Sequence, residues 1–409
     1  MTDRERMLAV WKEPCVLRAR ERLRADSPSI LETQVAVSEI PSPTGQEDAR
    51  ADWLLDRFRE ASLTGLRRDG AGNVIGVRPG SDPGSAPVVL CAHLDTVFPP
   101  GMPVSVRRDG RRLVGPGIGD NGRGLAALVA LAGVIDGVAL RPRAPVVFVG
   151  TTGEEGSGDL RGAKHLFANG LGAARAAVIL DGAGDDRIVH RALGSRRFRI
   201  EFRGPGGHSW SSYGAPNAVH AAARCAASLA AIALPDTPRT TLSVGRMGGG
   251  MSVNAIPADA WLEVDVRSLA AHVLPQLEER IRAAVHAAVR EENDGRAPGS
   301  SPLASRLAII GDRPAGETAF DHPLVAAAVE ATRLIGREPA LAAASTDANV
   351  PISLGIPAVA IGAGGRGGDA HTADEWFEDA DGGRGLERAL AITMAAAGLS
   401  AARPAPAEV

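Results

Sequence analysis

Four short apolar runs, each broken off by polar residues, frame the chain: VVLCA at 88–92, VVFV at 146–149, AVIL at 177–180 and AVAI at 358–361. Runs without alternation are apolar on both faces, so they predict strands of a sheet covered on both sides. Ala- and Leu-rich segments between them, such as 124–134, are strong helix formers and predict the covering layers. Ahead of the first run, residues 1–65 predict helices. In ADWLLDRFREA at 51–61, Trp53, Leu54, Phe58 and Ala61 recur at helical spacing.

Between 192 and 313 the period changes. Phe198, Ile200 and Phe202 alternate with Arg and Glu, as do Leu262, Val264 and Val266 with acidic residues. Period-two alternation predicts a sheet with one wet face. Two amphipathic helical stretches, 218–234 and 273–289, sit among these strands. The order strand, helix, strand, strand, helix, strand predicts a two-layer α+β module. Buried-strand patterning resumes after Pro323, so the module interrupts the first domain. The expected division is 1–191 and 314–400 for the α/β domain, 192–313 for the insertion, and 401–409 for a disordered tail.

Charge narrows the partners. The chain has 45 Lys and Arg against 48 Asp and Glu, a formal net charge of −3. A nucleic-acid or membrane-surface protein would carry a basic footprint, so neither partner is expected. Cys15, Cys91 and Cys225 are too few and too far apart for a disulfide framework or a Cys-rich zinc site. The opening MTDRERMLAVWKEP lacks the apolar stretch of a signal peptide, and no run reaches membrane-spanning length. A cytoplasmic protein is the expectation.

The chemistry stands directly after the apolar runs. VVLCAHLDTV supplies His93 and Asp95 two apart, hence on one side of an extended segment. VVFVGTTGEEGSG supplies Glu154 and Glu155, VILDG supplies Asp181, GPGIGDNGRG supplies Asp120 and GGDAHTADEW supplies His371. Open α/β sheets place their sites at the carboxyl ends of strands. A nucleotide-binding sheet would carry a Gly-rich turn after the first strand, where His93 and Asp95 stand instead. Two imidazoles with three carboxylates suit Zn²⁺, Co²⁺ or Mn²⁺. The negative charge of Asp120, Asp181 and Glu155 with a hydroxide would balance two divalent ions, which together activate water and polarise a carbonyl. Adjacent side chains diverge, so Glu154 does not share a metal with Glu155 and is available to shuttle a proton. Asp95 suits accepting the second N–H of His93.

The ordered series HLD, GIGDNGRG, GEEG, LDG, GGHS, VNAIP and AHTADEW, from about 38 to 376, resembles the M20 family of co-catalytic zinc peptidases and amidohydrolases. The resemblance implies a mixed, mostly parallel α/β domain interrupted by a ferredoxin-like lid that often forms a homodimer interface. It implies that His93 and Asp181 bind one zinc, Glu155 and His371 the other, and that Asp120 bridges them. It assigns Glu154 as general acid/base and Asp95 as the residue orienting His93. In the insertion it implies that His208 steadies the oxyanion, reaching across a dimer, and that Asn254 and Arg267 hold a substrate carboxylate. GDNGRG departs from the commoner D-M-K-G form and is closer to the tripeptidase-like branch, which blurs the substrate class.

Arg366, in the loop before His371, is a further candidate substrate contact. STDANVP at 345–351 either lines the site through Asp347 or Asn349 or turns into the next strand. The expected function is di-metal hydrolysis of a C–N bond in a small peptide or N-acyl amino acid, with exopeptidase ahead of amidohydrolase. Hydrolytic deamination of a small aromatic acid on the same machinery is the alternative, and a non-catalytic metal-binding protein the third reading.

Overall fold

The four apolar runs pair into one mixed sheet of nine strands. In spatial order these are Thr64–Arg68, Val74–Arg78, Val146–Thr151, Val88–His93, Ala176–Leu180, Ala358–Ile361, Arg187–Ala192 and Gly316–Glu317, with Ala340–Ala344 also beside Arg187–Ala192. The computed structural model describes residues 2–380 and 383–400, so the expected tail at 401–409 lies outside the described residues. Val88–His93 runs parallel to both its neighbours, and Ala358–Ile361 parallel to Ala176–Leu180. Parallel neighbours require crossovers, which the helices Gly122–Gly137 and Arg161–Ala168 supply. The four central strands therefore end at one edge, with His93 opposite Thr151 and Leu180 opposite Ile361.

Burial explains why these runs lack alternation. Val88, Leu90 and Ala92 pack in one core with Leu125 and Leu128 of Gly122–Gly137 and with Leu386 and Leu390 of the C-terminal helix Arg384–Ala397. Val89 and Cys91 face the opposite core with Ala163, Leu166 and Phe167 of Arg161–Ala168. At the N-terminus, Asp3–Lys12, Pro14–Ala25, Ser27–Ser38 and Asp48–Glu60 are helical, and the edge strand begins at Thr64. Leu54 and Phe58 are buried and Trp53 half-buried, as the helical spacing requires. Among the described residues no helix is long and apolar enough to cross a membrane.

Residues Leu193–Gly316 form a second unit, and Met1–Ala192 with Glu317–Val409 the first. The second unit extends past 313 because Ala315 still lies against Gly194. Its four antiparallel strands run in the order Thr240–Gly249, Asp259–Ser268, Gly194–Arg203, Ala304–Arg313. With helices Ala218–Ala230 and Val273–Asp294 this is the ferredoxin-like arrangement. The first helix stops short of 234 because Pro235 disfavours helical geometry in the residue before it. Phe198, Ile200, Phe202, Leu262, Val264 and Val266 are buried with Cys225, Leu229, Leu277 and Ile281. The alternate positions carry charges that pair, such as Arg199 with Glu263 at 2.9 Å. Ile200 is fully buried. An Ile200→Ala change therefore lowers the stability of this unit by about 2–5 kcal/mol, read as a lower urea midpoint at unchanged slope.

Candidate metal centre

His93 is the last residue of its strand, on the same face as Val89 and Cys91. Its position is fixed from both sides. Leu94 N donates to Thr151 O at 2.7 Å, and the buried Arg50 donates to Leu94 O at 2.8 Å. Burial pushes the Arg50 guanidinium down to about 10. His93 Nδ1 lies 3.0 Å from the carbonyl oxygen of Asp95 and 3.6 Å from its Oδ1. The nearer acceptor is thus the main chain and not the expected carboxylate. The reason is that Asp95 Oδ1 and Oδ2 accept from the Glu154 and Glu155 amides, each at 2.9 Å, while Oδ2 also accepts from Thr44 Oγ1 at 2.9 Å. Although burial opposes it, His93 and these amides hold Asp95 below the usual carboxylate range. Asp95 therefore locks the GEEG loop against the His93 strand, and an N–H on Nδ1 leaves Nε2, which faces Asp120, able to accept a cation.

Asp120 stands at the head of the helix Gly122–Gly137 in a loop held by two neighbours. Asn121 Nδ2 donates to Leu180 O at 2.9 Å, and its Oδ1 accepts from Gly124 N at 3.1 Å and Gly182 N at 3.2 Å. This ties Asp120 to the strand end that carries Asp181. A Cβ on Gly124 would collide with Asn121 Oδ1 and the Leu180 carbonyl, so that position requires glycine. Glu375 accepts from Gly119 N at 2.8 Å and Asp120 N at 2.7 Å through Oε1, and from Gly117 N at 3.0 Å through Oε2. It thereby links the Asp120 loop to the segment that bears His371.

These supports bring the expected ligands together. Asp120 Oδ1 is 2.9 Å from His93 Nε2, and Oδ2 is 3.1 Å from His371 Nε2, which is also 3.1 Å from Glu155 Oε1. Three triads have ligand atoms all within 4.8 Å: His93, Asp120 and Asp181; Asp120, Glu155 and His371; and His93, Glu154 and Glu155. His371 adopts a left-handed backbone, φ 66°. For a residue other than glycine this costs roughly 1–2 kcal/mol, a strain tolerated where it aims a functional side chain. Hydrogen bonding to Asp120 pushes His371 up to about 9, and Asp120 and Asp95 raise His93 against its burial. Burial and the neighbouring Asp120 raise Glu155 and Asp181. The cluster is thus one that favours cations, and its imidazole and carboxylate donors fit two divalent ions sharing Asp120.

The other expected residues fall elsewhere. Arg366 is exposed on the strand Arg366–Gly368, on the wall of a cavity of about 650 Å³ that Asp120 and Asp181 also line. His208, Asn254 and Arg267 belong to the second unit. The short strand Gly207–His208 pairs with Ala255–Ile256, so His208 and Asn254 are neighbours, with Ser209 N donating to Asn254 O at 3.0 Å. Arg267 lies on the strand Asp259–Ser268, and its Nε donates to Asp265 Oδ2 at 2.7 Å. Asp347 is buried and accepts from Thr151 Oγ1 at 2.5 Å, while Asn349 Oδ1 accepts from Thr346 N in the turn.

Thr44, Asn121 and Glu375 received no role from the sequence. Asn121 and Glu375 stand inside the quoted motifs, one and four residues after a ligand, and that proximity was the available signal. A Glu375→Ala change leaves three loop amides without their acceptor. It is expected to lower stability by at least about 2 kcal/mol, seen as an earlier denaturation midpoint.

The chain is 29% identical to a probable carboxypeptidase of Aspergillus clavatus over 276 residues, 62% of this chain and 59% of that protein. It therefore spans less than two thirds of that relative's length. The fold is similar to the aminopeptidase PepT of Bacillus cereus, with a TM-score of 0.73 at 23% identity, covering 91% of this chain and 99% of that one. It is also similar to the YXEP protein of Bacillus subtilis, described as a dinuclear metal-binding peptidase, with a TM-score of 0.67 at 17% identity over 90% and 98% of the two chains. The sequence profile of one family matches residues 89–395, a span that contains every ligand of the cluster, and the chain belongs to that family, peptidase family M20/M25/M40.

Proposed function

We propose that this protein is a di-metal hydrolase of C–N bonds in small peptides or N-acyl amino acids, acting in the cytoplasm as an exopeptidase or amidohydrolase. One observation carries the reading: the two carboxylate oxygens of Asp120 each face a different imidazole, at 2.9 and 3.1 Å. His93 and Asp181 would hold one ion, Glu155 and His371 the other, and Asp120 both; zinc suits these donors, and cobalt or manganese can replace it. Two divalent ions there supply water activation and carbonyl polarisation.

The chain's own residues supply the rest. Glu154 is buried, its amide is pinned to Asp95, and it lies beside His93 and Glu155. Its carboxylate takes the proton from the attacking water and delivers it to the leaving nitrogen. Asp95 and Asn121 keep the GEEG and Asp120 loops in place while that transfer occurs. By the family resemblance, His208 would steady the oxyanion and Asn254 with Arg267 would hold a substrate carboxylate. Chelation tests the reading: activity disappears on dialysis against a chelator and returns with zinc, cobalt or manganese. Activity untouched by complete metal removal would reject it.

The inserted unit would form a homodimer. Among the described residues its outer strand, Thr240–Gly249, pairs on one side only, with Asp259–Ser268, and an unpaired edge is a template for a second copy. Light scattering at micromolar concentration is expected to give twice the chain mass. A monomer would remove any role of His208 across subunits.

A further inference from the structure

Beside the ligand cluster, the 650 Å³ cavity of the first unit carries a charge pattern that metal binding leaves unexplained. Three arginines, Arg187, Arg337 and Arg366, line it together with Asp120 and Asp181. Arg337 is committed: its Nε donates to Asp185 at 2.8 Å. Glu375, also on the wall, is held by the three loop amides. Arg187 and Arg366 are exposed, and among the described residues neither makes a side-chain hydrogen bond or ion pair. Asp186 is the remaining acid on the wall. Beyond the ligand carboxylates and the Arg337–Asp185 pair, Arg187 and Arg366 stand on this wall against Asp186 and against Glu375, whose carboxylate is turned to the loop amides.

The two guanidinium groups are carried by a stiff frame. Gly184 N donates to Gly364 O at 3.2 Å and Gly364 N to Gly184 O at 2.9 Å, with Ala363 N on Gly182 O at 2.9 Å. Arg187 begins the strand Arg187–Ala192 three residues beyond this bridge, and Arg366 begins Arg366–Gly368 two residues beyond it. Arginine is the side chain best shaped to hold a carboxylate through paired N–H donors. The Trp376 indole, packed against Gly368, supplies an apolar wall to the same cavity.

We infer that Arg187 and Arg366 form an anion subsite beside the metal centre, and that the substrate carries a second carboxylate there, on an acidic side chain. The inference rests on the proposed function for the position of the scissile bond. It selects acidic substrates among those the metal centre could cleave. The α-carboxylate is a separate group, and the probes below distinguish the two.

Calorimetric binding tests it without needing turnover. Glutarate, its monoamide glutaramate and butyrate are titrated into zinc-loaded protein, wild type and Arg187→Gln/Arg366→Gln. Glutarate is expected to bind roughly tenfold or more tighter than the other two, the size of one or two charge-assisted hydrogen bonds, and the double variant is expected to erase that preference. An Arg366→Glu protein should disfavour glutarate further. Equal binding of the three probes, or a preference that survives in the double variant, would overturn the subsite. A kinetic arm compares N-acetylglutamate, N-acetylglutamine and N-acetylglutamate α-amide. A KM advantage tied to the side-chain carboxylate supports the inference, and one tied only to the α-carboxylate refutes it. Loss of all turnover with the glutarate preference intact would reject the hydrolase reading and leave the subsite standing.

Discussion

Glu154→Gln is expected to reduce turnover by roughly a hundred- to ten-thousand-fold, the usual contribution of a positioned general acid/base, while metal content and fold survive. The side chain keeps its size, and the amide that fixes its backbone, donated to Asp95 Oδ1 at 2.9 Å, is untouched. Only the ability to hold and release a proton is removed. A competing arrangement is present in the same loop, because Glu154 also forms a compact triad with His93 and Glu155. If Glu154 were a ligand, the variant would lose metal along with activity. Metal analysis of the purified variant beside its kcat separates the two roles.

Asp120→Ala is expected to remove both ions together. Asp120 is the residue common to the His93–Asp181 and Glu155–His371 groups, and each of its oxygens faces one imidazole. Without it, each remaining pair offers one imidazole and one carboxylate, below the three protein ligands of an open zinc site. Metal analysis should fall from about two ions per chain to below one, with turnover lost, whereas Asp181→Ala should lose a single ion. Retention of a full complement by Asp120→Ala would remove the bridge from the account.

Much of this was legible because burial on both faces leaves a plain mark. Strands such as Val88–His93 must be apolar throughout, so the polar residues that break each run fall where the parallel strands end. The candidate ligands His93, Glu155 and Asp181 follow from that rule with little help from tertiary detail. The inserted unit was equally open, since Phe198, Ile200 and Phe202 alternate with charges in a sheet wet on one face. The supports were not. Glu375 acts through three backbone amides that lie more than 250 residues away in the chain, and no spacing rule encodes such a contact. The carbonyl of Asp95 as the nearest acceptor for His93 was hidden too, because it depends on where the GEEG amides draw the carboxylate. That Arg187 and Arg366 make no side-chain hydrogen bond or ion pair among the described residues is likewise a property of the folded loops.

The most direct test is a mass-spectrometric turnover assay in heavy-oxygen water, with zinc, cobalt or manganese added. Pools of di- and tripeptides and N-acyl amino acids would be offered to the wild type and to Glu154→Gln. The account predicts new carboxylic products carrying one solvent oxygen, formed only by the wild type and only with a divalent metal. No C–N cleavage in any pool, or equal cleavage by the Glu154→Gln protein, would contradict it.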